Sequence, residues 1–215
     1  MTGEPAATVV PLRDAPGGLE VLMLHRSSRG AFGGMWVFPG GRVDPEDGDP
    51  AVEGVDAVAR RAAAREAMEE AALIVDPATL VPFAHWTPPP QAPRRYLTWF
   101  YLAPAGEEEI VVDGAEIQRH EWVSPAEMMR RRDLGEVELA PPTWMTLWRL
   151  AQSATVADAL NAAAAQEPEM FETRVAPGMM LWEGDAGYES GDTTLPGPRR
   201  RLIVDPDAWR YEESA

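Results

Sequence analysis

The residues best suited to chemistry in this chain are Arg65-Glu66-Ala67-Met68-Glu69-Glu70. On a helix, Glu66, Glu69 and Glu70 are related by i, i+3 and i, i+4, so their carboxylates share a face and repel by about 0.3 kcal/mol per pair. Such a cluster costs stability unless a cation compensates it, and hard divalent ions such as Mg2+ or Mn2+ prefer oxygen-only ligation. Arg65 is spaced to pair with Glu69 at i, i+4 and hold it in place. Ala59 and Ala62 are expected beside the acidic face, leaving it open, while Ala64, Met68 and Ala71 pack inward on the other side. Taken alone, a glutamate run reads as a solvated helix face. Upstream, however, stands Trp36-Val37-Phe38-Pro39-Gly40-Gly41. This is an apolar strand ending in a turn whose glycines let backbone approach a ligand or metal, and whose carbonyls are further hard oxygens.

The elements that must position these residues can be read from pattern and punctuation. Residues 8–12 and 19–24 are short β-type runs around Asp14-Ala15-Pro16-Gly17-Gly18 and predict a hairpin. Residues 35–38 form another short strand, stopped by Pro39-Gly40-Gly41. The acidic stretch 44–50 has turn composition and is expected outside the core. Residues 56–73 are Ala-rich with no Gly or Pro inside, the strongest helix signal in the chain. Two more strands are expected at 80–86 and 96–102 across a proline-rich loop, and another at 121–123. That strand leads into a helix signalled by Ser124-Pro125-Ala126-Glu127, an N-cap, a proline at the first helical position and a Glu at the third. Pro141-Pro142 marks a boundary, followed by helices at 143–152 and 155–165 and a tail of short β-like pieces. Strands and helices alternate without a strict βαβ rhythm, so the fold class is α+β or a mixed sandwich.

A strand, a glycine turn, a loop and a carboxylate-bearing helix in this order resemble the signature of the Nudix hydrolases, G-x5-E-x7-R-E-U-x-E-E-x-G-U with U aliphatic. Gly41 matches the opening glycine, and Arg65, Glu66, Met68, Glu69, Glu70 and Leu73 match the second half. Two departures stand out. Gly41 and Arg65 are 24 positions apart, about ten more than the pattern has, so Asp44, Asp47 and Glu53 are all candidates for the first acid. Ala72 replaces the final glycine, a change that suits continuation of the helix.

The resemblance implies a Nudix fold, a mixed β-sheet sandwiched between helices, over residues 1–140, with a helical and β-like extension at 141–215. It implies Mg2+- or Mn2+-dependent hydrolysis of a nucleoside diphosphate linked to another moiety. Carried over, Glu66, Glu69, Glu70 and the Gly40 carbonyl would hold metal, with Arg65 beside them. A further acid from the loop before a late strand would be Glu116, with Glu121 the other option, and Glu66 is also a possible base. Arg94 and Arg95, two guanidiniums at the start of a strand, could clamp phosphate, with Gly41 at the substrate. The long loop, the Trp86-Thr87-Pro88 segment and the C-terminal helices resemble the branch that contains the mammalian peroxisomal coenzyme A diphosphatase. Residues 29–35 lack the stretch associated with bacterial coenzyme A diphosphatases, so coenzyme A stands beside ADP-ribose and NADH as a substrate class. A catalytically silent module that binds a nucleotide metabolite is the alternative.

Composition narrows the chemistry from the other side. There is no cysteine, and all 19 basic residues are arginine, which excludes a thiolate nucleophile, a P-loop lysine and a Schiff-base lysine. Thirty-five acids give a net charge of −16, unsuited to long nucleic acid or anionic membrane. With no visible signal peptide and no long apolar run, a cytoplasmic protein is expected, with a homodimer possible. Glu107-Glu108-Glu109 reads as solvation, and His25, His85 and His120 as structural. The Trp-rich segments 143–149 and 181–183 are expected to cover the core or a dimer face.

Overall fold

A computed structural model of the chain describes residues 3–28, 32–106 and 109–215. Arg29, Gly30, Ala31, Glu107 and Glu108 lie outside the described residues. The expected hairpin forms from β1 (Glu4–Ala15) and β2 (Gly18–Arg26), paired antiparallel from Leu12 and Val21 to Ala15 and Gly18. Gly18 takes φ +111°, a value that favours glycine, at the turn. β3 (Trp36–Val37) then pairs with β2, and β4 (Gly40–Arg42) folds back on β1 with Gly40 opposite Thr8. α1 (Pro50–Glu53) is a single turn within the acidic loop, and α2 (Val55–Ala71) is the long Ala-rich helix.

β5 (Val81–Thr87) and β6 (Tyr96–Pro104) run antiparallel across the proline-rich loop. β7 (Ile117–Val123) begins earlier than its composition suggests, because pairing with β2 carries its polar residues into the sheet. α3 (Pro125–Asp133) starts as its residues predict: the Ser124 hydroxyl accepts the Glu127 N–H at 3.3 Å, and Pro125 opens the first turn. In α4 (Pro141–Leu150) the two prolines lie in the first turn, where the missing amides are not needed, so the expected boundary is a helix start. α5 (Val156–Ala164), β8 (Glu169–Glu172), β9 (Arg174–Ala176), β10 (Met179–Leu181), β11 (Arg199–Val204) and β12 (Trp209–Ser214) complete the chain.

The main sheet runs β3-β2-β1-β6-β5-β8, with β4 attached to β1 and β7 to β2. β1 lies parallel to β6, and β5 to β8, while the remaining pairs are antiparallel. Side chains alternate faces along a strand, and here both faces are covered. Val9, Leu22, Leu24, Tyr101 and Ala103 pack against α2. Their neighbours Val10, Val21, Met23, Phe100 and Leu102 face Met128, Trp144, Leu147 and Ala159 from α3, α4 and α5. This is the mixed sheet sandwiched between helices that the family resemblance implies.

α2 packs through Ala59, Ala62, Ala63, Ala67 and Ala71, all nearly inaccessible. Those residues follow the i, i+3, i+4 stripe, and small side chains bring the helix close to the sheet. The orientation expected for the helix is therefore corrected: Ala59 and Ala62 are core, and Met68 is 47% exposed. Glu66 and Glu70 fall on the edge of the buried stripe and Glu69 outside it, so the three carboxylates differ sharply in environment. Ala72 does not continue the helix either. It caps α2 in the left-handed region at φ +52°, with the Leu73 N–H returning to the Ala67 carbonyl at 3.1 Å. A residue with a Cβ bears about 1 kcal/mol of strain there that glycine would not.

β9 to β12 form a separate antiparallel sheet ordered β12-β11-β10-β9. Trp182 is inaccessible, edge-on to Phe171 and Trp86, with its indole N–H on the Thr173 hydroxyl at 3.1 Å. The buried pair Arg201–Asp185 closes bidentately at 2.7 and 2.6 Å. Trp144 and Trp182 thus pack within the chain's own core.

Candidate active site

A cleft of about 730 Å3 opens where the C-terminal half of α2 meets the Gly40-Gly41 turn. Arg26, Glu66, Glu69, Glu70 and Glu116 line it, together with Arg94, Tyr96, Thr98 and Phe100 of the β6 region. Pro142 and Thr143 of α4 and the exposed ring of Phe32 complete its lining.

Glu70 is 4% exposed. Its carboxylate accepts the Gly40 N–H at 3.0 Å and Arg26 Nη1 at 3.2 Å. Burial pushes this carboxyl up to about 7, outweighing the pull of Gly40 and Arg26 toward the charged form. Glu66 lies against the glycine turn, and burial raises its carboxyl as well, opposed by Arg65. Glu69 is on the rim and accepts Arg65 Nη1 at 3.2 Å. Gly40 touches the acidic cluster through its amide, which Glu70 accepts.

Arg65 does pair with Glu69, but its principal partner is Asp47, which receives Nε and Nη2 at 3.0 Å each. The same guanidinium reaches Glu66 at 3.0 Å and the Arg42 carbonyl at 3.0 Å. These bonds, to Asp47 first, hold Arg65 charged well above its ordinary range. Asp47 is 4% exposed within a short 3-10 turn, Pro45–Asp47, and also accepts the Asp44 N–H at 2.8 Å. The acidic loop is therefore not wholly solvated. Of the three candidate acids, Glu53 pairs with Arg61, Asp44 stands 3.9 Å from Arg65, and only Asp47 grips Arg65 bidentately. The extra residues form α1 after Asp47, which leaves the spacing from Gly41 to Asp47 intact.

Glu116 lines the cleft and forms an ion pair with Arg26. The Asp113 carboxylate accepts the amides of Ala115, Glu116 and Ile117 and fixes the loop that presents Glu116. Glu121 points elsewhere, with both oxygens on Arg131 at 2.9 Å. The expected arginine clamp splits: Arg94 lines the cleft, whereas Arg95 is not among the residues lining it and donates to the Pro88 carbonyl at 3.1 and 3.3 Å. His25 packs on Trp36 and His85 on Trp99, and burial lowers the pKa of both. Sequence reasoning missed Arg26, whose only signal is a charge that closes strand β2 just after the apolar run Val21–Leu24.

Gly41 has a steric rather than a conformational role. A Cβ there would stand 2.3 Å from Glu66 Oε1 and 2.6 Å from Oε2. Gly41→Ala should therefore displace the Glu66 carboxylate while leaving the fold intact, lowering turnover by about tenfold or more. Steady-state kinetics beside thermal melts tests this, and wild-type activity with wild-type stability would remove Glu66 from the site.

The donor set suits a hard divalent cation: Glu66, Glu69, Glu70 and Glu116 stand among six carboxylates that line the cleft, with neither sulfur nor histidine among them. Among the described residues no group of three acids already stands in metal-holding geometry. Arg26 and Arg65 are interposed among the glutamates and satisfy them instead.

Comparison with known proteins places the fold. A crystal structure of a NUDIX hydrolase from Alicyclobacillus acidocaldarius superposes with a TM-score of 0.66 at 23% identity, covering 78% of this chain and 98% of that one. The NUDIX domain of Shewanella oneidensis NrtR, complexed with ADP ribose, gives 0.54 at 18% identity over 71% and 88%. A MutT NUDIX hydrolase from Burkholderia pseudomallei gives 0.53 at 21% over 70% and 99%. No curated protein matches the chain. Among the described residues, no helix is long and apolar enough to cross a membrane. The architecture is the Nudix fold, and membership of the Nudix family supports a pyrophosphohydrolase. Residues 3–142 match the family described as NUDIX domain, a span that takes in both the glycine turn and the acidic helix, and the chain belongs to that family.

Proposed function

We propose that the chain is a Mg2+- or Mn2+-dependent hydrolase of a nucleoside diphosphate linked to another moiety, of the ADP-ribose, NADH or coenzyme A type. The observation that carries this reading is the cleft itself, which brings Glu66, Glu69, Glu70 and Glu116 together with Arg94 and Tyr96. Its size falls within the range of ligand sites that enclose most of a small molecule. We take residues 1–140 as the hydrolytic unit and 141–215 as an extension, whose first turn contributes Pro142 and Thr143 to the cleft.

Glu66, Glu69 and Glu70 are the residues that would hold the metal. A divalent ion held by them supplies charge neutralisation for the diphosphate and a more acidic water. The chain's own groups do the rest. Burial on α2 fixes Glu70 and Glu66 so that their oxygens face the Gly40-Gly41 turn. Arg65 ties that helix to Asp47 and the Arg42 carbonyl, which keeps the carboxylates and the turn in register. Glu116, half-exposed on the loop that Asp113 braces, is the acid best placed to take a proton from attacking water. Arg94 makes no ion pair among the described residues and can receive a phosphate oxygen.

The test is incubation with ADP-ribose, NADH, coenzyme A and dinucleoside polyphosphates, with and without Mg2+ or Mn2+. The expected result is metal-dependent release of a nucleoside monophosphate, or of 3′,5′-ADP from coenzyme A, abolished by EDTA. Tight binding of one of these compounds with no product under any metal condition would establish a silent binding module instead.

A further inference from the structure

Arg26 is held differently from Arg65, the other arginine bonded to the glutamates of α2. Every nitrogen of the Arg65 guanidinium is bonded, to Asp47, Glu66, Glu69 and the Arg42 carbonyl. Arg26 reaches Glu70 through Nη1 at 3.2 Å and Glu116 through Nη2, but its Nε is buried with no partner. Its side chain is 13% exposed. One positive charge thus lies between two carboxylates that come from separate elements, the end of α2 and the loop before β7, and it leaves them undercompensated. A buried N–H without an acceptor also makes this pose less than fully satisfied. A divalent ion would compensate both acids, and beside a guanidinium on the same two carboxylates it would meet a second cation in a partly desolvated cleft, so the two compete for Glu70 and Glu116.

We infer that Arg26 is a resident cation that holds Glu70 and Glu116 in place until a divalent metal displaces it. The guanidinium released at the cleft wall then donates to the phosphate oxygens of the substrate. Arg26 is accordingly a positioning residue in the metal-free protein and a substrate contact in the loaded one. The inference rests on the metal-dependent reading above and deepens it. It has a consequence in free energy: metal and the Arg26–carboxylate bonds compete, so weakening those bonds must strengthen metal binding by the same coupling.

The test is Mn2+ binding by titration calorimetry on the full chain without substrate. Arg26→Gln should bind Mn2+ on the order of tenfold more tightly than wild type, as expected for a competitive coupling of ordinary size. Arg26→Lys keeps the charge but cannot span two carboxylates with one ammonium, and should fall between. With substrate added, Arg26→Gln should raise KM although its metal site is fuller. Mn2+ affinity in Arg26→Gln equal to or weaker than wild type overturns the inference. Wild-type crystals grown with Mn2+ give a reading that needs no variant: the guanidinium must have left Glu70, and metal bound beside an intact Arg26–Glu70 bond overturns the inference equally. Glu70→Gln separates the two levels. If that change abolishes Mn2+ binding while Arg26→Gln leaves it untouched, the metal site stands and only the role of Arg26 falls. If neither wild type nor Arg26→Gln binds Mn2+, the metal-dependent reading falls with it.

Discussion

Glu70→Gln should lower metal-dependent turnover by ~10²-fold or more, because a metal-positioned charge supplies several kcal/mol of barrier lowering. The same change should make the metal-free protein more stable above pH 7. The unfolded chain releases the Glu70 proton near 4.5, whereas burial holds it in the fold up to about 7. The folded state therefore binds more protons across that window, so stability falls as pH rises through it and stays reduced above it. Glutamine has no charge to bury, and at pH 8 the gain is on the order of 3 kcal/mol. Chemical denaturation at pH 5 and pH 8 checks the sign: the variants should converge at the lower pH and separate at the higher. Mn2+ should raise the melting temperature of wild type at pH 8 and leave that of Glu70→Gln unchanged. A variant with near wild-type turnover, or one less stable at pH 8, would remove Glu70 from the role given to it.

The largest loss of stability is expected from Arg65→Ala. Asp47 is nearly inaccessible, with its two oxygens on Arg65 and one of them also on the Asp44 amide, so losing the guanidinium strands a buried carboxylate. Breaking a buried pair from one side typically costs about 3–5 kcal/mol, far more than losing the rim contact to Glu69. Glu69→Gln offers the comparison, since Glu69 is largely exposed and should cost less than ~1 kcal/mol. Urea denaturation of both variants gives the two numbers. Equal losses would mean that Asp47 is not the partner that matters. Activity should also fall in Arg65→Ala, because Glu66 and the Arg42 segment lose their common anchor.

Much of this site was legible in the chain because helical spacing alone relates Glu66, Glu69 and Glu70. What spacing could not convey was how far each is buried, since that depends on which stripe of α2 meets the sheet. Five alanines at 59, 62, 63, 67 and 71 decide it, and they leave Met68 outside despite its apolar side chain. Asp47 was ambiguous because counting from Gly41 and counting back from Arg65 give different answers, and the turn α1 absorbs the difference. Ala72 looked like a helix residue by propensity, yet the cap demanded a left-handed backbone that composition does not advertise. Arg26 and Arg95 were legible only in three dimensions. One lies 44 residues from Glu70 and joins it, and the other stands beside Arg94 but turns to a backbone carbonyl. The hairpin and the capped start of α3 were read well because both are local. The parallel pairing of β8 with β5 has no local signature at all.

That last pairing bears on what covers the outer edge of β5. β5 is hydrogen-bonded to β6 on one side and to β8 on the other, from Ala84 opposite Glu169 to Thr87 opposite Glu172. The Trp86 ring is stacked flat on Phe171 at 4.1 Å beside that seam. Cut the chain at residue 142, where the family match ends, and β5 becomes an open edge: a row of unpaired amides next to a bare indole, the template on which another copy adds its own strand. The four residues of β8 thus cover an edge on which a further strand could otherwise add, and they leave a much shorter edge in its place.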